Sequence, residues 1–178
     1  MKKRISIILL LAIMVFIYSK TKMNQSNPEV LSPLVEIVEN YIPQRDRLNT
    51  EVSKVDVAWQ LDHILKTINR ITEAIEKSNP ENYSSSTNAM RILSLTAGYI
   101  PRGRAQSPDI VKPPDNILTE DLLQQIKEAR ANIEKLKQLD ENSYFNHFVF
   151  GDLKKAHTIR FLEVHTKHHL KIIKDILK

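Results

Sequence analysis

The chain has no cysteine and only three glycines among its 178 residues. The first absence excludes a disulfide scaffold and any thiolate metal site, so a bound metal must use nitrogen and oxygen ligands. The second argues against a turn-rich β protein. Positive charge is also scarcer than the net +5 suggests. Lys2, Lys3, Arg4, Lys20 and Lys22 all precede the first acidic residue, Glu29, and beyond them 21 basic side chains face 21 acidic ones. A balanced domain without a basic, aromatic-interleaved run does not fit nucleic-acid binding. The remaining charges read as solvated helix faces.

What is present begins with a targeting pattern. Lys2-Lys3-Arg4 is a basic flank, and Ile5 to Tyr18 is an apolar run of 14 residues, the length of a signal core and short of a span of ~20. The expected location is the extracytoplasmic cell envelope, membrane-anchored or secreted, with the N-terminus inside and the domain outside. Phe16-Ile17-Tyr18-Ser19 offers no small-x-small cleavage site, so a retained anchor and a cleaved signal both stand as readings. The expected organisation is a signal or anchor over residues 1–22, a spacer and short packing helix over 23–50, and a four-helix domain over 51–178.

Beyond residue 28 the periodicity is helical, and the predicted fold class is all-α. Val30, Leu34, Val35, Ile37, Val38 and Tyr41 make a short amphipathic stretch that Pro43 closes. Ser53-Lys54-Val55-Asp56 resembles a capping box before a helix running to about Lys77, with Leu61, Ile64, Leu65, Ile68, Ile71 and Ile75 on one stripe. A third helix is expected over Ser85–Tyr99, ended by Gly98 and Pro101. Pro101, Pro108, Pro113 and Pro114 then mark a long crossover loop. There Arg102 and Arg104 are candidates for an anion near a site mouth, with two solvated arginines as the plainer reading. Thr119 is the expected cap of a helix whose Leu122, Ile126, Ala129, Ile133 and Leu136 recur at bundle spacing. The aromatic connection Tyr144, Phe145, Phe148 and Phe150 is expected to plug the end of the bundle. Asp152 is expected to cap the last helix. No period-2 alternation long enough for a sheet is visible.

The last helix carries His165-Thr166-Lys167-His168-His169. At ~100° per residue, His169 lies about 20° and His165 about 60° from the centre of the apolar face, whereas His157 and His168 lie about 120–140° away. The first two point inward as an i,i+4 pair able to share one ion; the other two are expected to face solvent. His63 sits about 125° from the stripe of its own helix, beside Trp59 at i−4. It reads equally as a third ligand or as a hydrogen-bonded, half-buried imidazole. His147, in the aromatic connection, is a rival ranked below it. Asp62 and Glu163 adjoin these positions but point elsewhere on their helices, and Tyr99 and Tyr144 are distant candidates for a base, so no catalytic residue is assigned.

The segments Phe145-Asn146-His147-Phe148-Val149-Phe150-Gly151-Asp152-Leu153 and Phe161 through Leu170 resemble the C-terminal signature of a DinB/YfiT-like subfamily that is a domain of unknown function. The likeness extends back through Ile100 to Ala105 and to Trp59-Gln60-Leu61-Asp62-His63. It implies a four-helix bundle with one crossover connection, and a divalent metal held by His63, His165 and His169. Phe148 stands where that signature has Pro, and Ile172 where it has Gln. Zinc is the expected metal and nickel the alternative, since both suit an all-nitrogen site. Two functions follow as expectations. One is an exported metal-dependent hydrolase or thiol transferase acting on an unidentified small molecule. The other is a non-catalytic, membrane-tethered bundle that binds a small ligand or a partner. Neither involves nucleic acid, and both leave room for a homodimer.

Overall fold

The computed structural model describes residues 2–103 and 106–178, with backbone alone for 2–9, 12 and 16. Among these residues there are six α-helices, α1 (Lys2–Met23), α2 (Ser32–Asn40), α3 (Val57–Glu76), α4 (Ala89–Ala97), α5 (Thr119–Gln138) and α6 (Lys155–Ile176). A two-stranded antiparallel hairpin, β1 (Tyr144–His147) and β2 (Gly151–Lys154), precedes α6 and pairs Tyr144 with Lys154 and His147 with Gly151. The all-α expectation is therefore corrected: the fold is mostly helical with one small sheet. Four-residue strands are too short to show a period of two, and their aromatics read as a loop.

The core is made where α3 packs against α5 and α6, with α2 against α5 and α6. Leu122, Ile126, Ala129, Ile133 and Leu136 are all buried on α5, and Leu61, Ile64, Leu65, Ile68, Ile71 and Ile75 on α3. Burial of α3 is not confined to that stripe. Gln60, Asp62, His63, Thr67, Asn69 and Thr72 are buried as well, so the helix is enclosed on more than one face.

Several boundaries differ from expectation because the capping groups do. Asp56, not Ser53, caps α3, its carboxylate accepting from the Trp59 amide at 2.8 Å; Ser53 Oγ closes a turn with Val55 instead. Thr119 is the first residue of α5, and the cap position is Leu118. Asp152 lies within β2, and the position before α6 is Lys154. The third helix shrinks to α4, opened by Asn88, whose side chain accepts from the Arg91 amide at 2.8 Å. Gly98 ends it at φ 65°, the left-handed backbone conformation that favours glycine, and a Cβ there would meet the Arg160 guanidinium at 3.0 Å.

Residues 2–23 form α1, which lies against α4 and α6. Leu10, Leu11, Ile13, Met14, Val15, Ile17 and Tyr18 are exposed on it. Among the described residues no helix is long and apolar enough to cross a membrane.

Candidate metal centre

α6 presents His165 and His169 one turn apart, and α3 presents His63 opposite them. One ring nitrogen from each of the three lies within 4.8 Å of the other two. Ring centroids are 5.0 Å apart for His63 and His165, 4.7 Å for His63 and His169, and 4.5 Å for His165 and His169. His63 and His169 are buried and His165 half-buried. Trp59 stacks on His63 at 5.1 Å, which is why a residue off the apolar stripe still looks inward.

Two of the rings are oriented from behind. His63 Nδ1–H donates to the Val111 carbonyl at 2.8 Å, and His169 Nδ1–H donates to Gln60 Oε1 at 2.6 Å. Each bond fixes the tautomer that leaves Nε2 unprotonated, with its lone pair available to a metal. His169 Nε2 is 3.2 Å from His165 Nε2, while His165 Nδ1 is buried without a hydrogen-bond partner. No tautomer of neutral His165 satisfies both of its nitrogens here. Either its proton lies on Nε2, leaving Nδ1 a buried acceptor without a donor, or it lies on Nδ1, leaving two lone pairs facing each other. A cation among the lone pairs relieves that repulsion, and ligand nitrogens about 2.0–2.1 Å from a tetrahedral ion sit roughly 3.3 Å apart. The donor set thus fits a divalent metal.

Charge and solvation agree. Burial, the largest cause in each case, holds all three imidazoles below their usual pKa, His165 and His169 well below; for His63 the Val111 hydrogen bond opposes it. Neutral rings are the metal-binding form. Among the described residues no carboxylate joins the group. Asp62 pairs with Lys66 at 2.7 Å and accepts from Gln125, and Glu163 pairs with Arg160 at 2.8 Å and Lys167 at 2.6 Å.

The other candidates lie elsewhere. His147 turns its Nδ1 into the hairpin, where it accepts from the Val149 and Phe150 amides at 3.0 and 3.2 Å. Its ring packs on Phe148, Phe150 and Phe161, and Phe161 in turn lies against His165, so His147 stays outside the triad. His157 and His168 are half-buried rather than solvent-facing, because the hairpin, α4 and the loop after it pack on what a bare helix would expose. Tyr99 lines a cavity beside His168, Tyr144 packs on Tyr83, and Ile172 is in the core. Arg102 pairs with Asp175 at 2.6 Å, and Arg104 lies outside the described residues.

Gln60 and the Val111 carbonyl were not assigned by sequence reasoning. Gln60 stands three residues before His63, and a polar side chain flanking an inward His is the signal that points to it. Backbone carbonyls leave no such trace.

The family model described as Protein of unknown function (DUF1569) matches residues 36–175. The chain belongs to that family. The match encloses all three histidines, Gln60, Val111 and the hairpin. No curated protein and no solved structure matches the chain.

Proposed function

We propose that the protein binds one divalent metal through His63, His165 and His169, zinc in preference to nickel, in a DinB-like bundle. The observation that carries this is the convergence of three neutral imidazoles, two of them fixed in the metal-binding tautomer by Gln60 and Val111. An ion held by three protein ligands keeps a coordination position open and supplies Lewis acidity, which suits hydrolysis or thiol transfer on a small molecule. A specific observation favours the non-catalytic reading as well: Asp62 and Glu163 are both occupied in ion pairs, so neither is presented to the triad as a base.

Elemental analysis of untagged protein is the test, with one equivalent of metal expected. His63→Ala, His165→Ala and His169→Ala should each abolish stoichiometric binding, because two imidazoles make a weak site. His168→Ala and His147→Ala should retain it. If His168→Ala removes the metal and His169→Ala keeps it, the assignment fails.

Export is proposed on the apolar run Ile5–Tyr18 behind Lys2-Lys3-Arg4, with residues 1–22 as signal or anchor. A reporter active only outside the cytoplasm, fused after residue 24, should give signal. Activity only from the cytoplasmic form of the reporter overturns it.

A further inference from the structure

A cavity of about 560 Å³ opens beside the triad, walled by the C-terminal end of α4, the start of the crossover loop and the outer face of α6. Its polar wall is cationic: Arg102 from the loop, and Lys167 and Lys171 from successive turns of α6, with His168 between them. Arg160 and Lys178 stand behind through the same ion pairs, so five cations share two carboxylates, Glu163 and Asp175. In a domain whose charges balance as a whole, this is a local excess facing a recess. Its volume suits a small molecule. The recess adjoins the metal site, because the His168 ring on its wall is 4.9 Å from that of His169.

The cations are not locked. The Arg102–Asp175 and Lys171–Asp175 pairs are partly exposed, and such pairs contribute little net energy, so an incoming anion competes with Asp175 at small cost. A guanidinium beside two ammonium groups matches the oxygens of a phosphate or carboxylate.

We infer that this cavity is a subsite for the anionic group of a soluble small molecule, phosphate or carboxylate, held by Arg102, Lys167 and Lys171. As a substrate subsite it rests on the metal-site reading. Anion binding itself does not.

The experiment is calorimetric titration of the metal-free full chain with inorganic phosphate and, separately, malonate. Saturable one-to-one binding of at least one is expected, weakened tenfold or more in Arg102→Gln/Lys171→Gln and unchanged in Lys127→Ala, a lysine on the exposed surface of α5. All are surface changes, and circular dichroism checks that each variant is folded. His165→Ala should lose zinc yet still bind the anion, and the double variant should keep zinc, so either reading can fail without the other. Non-saturable heats, equal loss in Lys127→Ala, or binding only to vesicles carrying phosphatidic acid and not to free phosphate overturns the inference.

Discussion

Gln60 Oε1 accepts the Nδ1 proton of His169 at 2.6 Å, joining the first turn of α3 to the last turns of α6. That bond turns His169 Nε2 towards His165 and His63. Such outer partners typically account for 10–100-fold in metal affinity. Gln60→Leu keeps the volume and removes the acceptor, so zinc affinity measured against a competing chelator should fall within about that range. Gln60→Glu restores an acceptor and should bind within a few-fold of the parent. Equal affinity in Gln60→Leu would show that the bond orients nothing.

Ile126 tests the packing of α5 against α3, the helix that carries His63. It is 1% exposed on α5, whose closest partner is α3. Ile126→Asp puts an unpaired carboxylate into this contact and should cost roughly 4 kcal/mol or more in urea unfolding. A loss under about 1 kcal/mol would mean the seam is not a core.

Arg91 makes a different kind of contact. Buried on α4, it donates to the Phe150 carbonyl at 3.3 Å and the Asp152 carbonyl at 2.8 Å, and also to Ser86. These bonds tie the hairpin to α4. Arg91→Met keeps the stem and deletes the donors, and at about 1.5–3 kcal/mol for a charged hydrogen bond the loss should appear locally. Amide exchange in Tyr144–Lys154 should accelerate more than in α5. Uniform acceleration would place Arg91 in the global core instead.

The long helices and the His165/His169 pair were legible because amphipathic periodicity converts spacing into direction. Leu122 to Leu136 and the inward His pair needed nothing but ~100° per residue. His63 was ambiguous for the same reason: periodicity assumes one buried face, and α3 has more than one, with Trp59 and the Val111 loop covering the second. The hairpin was illegible because four-residue strands carry no repeat. Gln125, Asn69 and Asn132 also escaped notice. Asn132 donates to Asn69 at 2.9 Å and Asn69 to the Gln125 carbonyl at 3.1 Å, a polar ladder beside the apolar seam that amphipathicity assigns to solvent.

The last prediction follows from two histidines outside the triad. Burial pushes His147 down to about 4 from 6.5; burial first, then the charges of Arg91 and Lys154, does the same to His157. Both are neutral in the folded chain at pH values where the unfolded chain begins to protonate them. Their contribution is therefore fully present above pH 6.5, is lost as pH falls towards about 4, and changes little below that, where both states carry the proton. The slope is at most about 1.4 kcal/mol per pH unit for each group. His157 Nδ1 is buried without a partner, so His157→Leu removes an unsatisfied atom as well as the titration. Melts of metal-free protein from pH 8 to 4 should show His157→Leu at least as stable as the parent at pH 8 and gaining on it progressively below 6.5. His147→Asn keeps an acceptor for the Val149 and Phe150 amides and should flatten the same limb. Parallel curves for parent and both variants would mean that neither imidazole stays neutral in the folded protein.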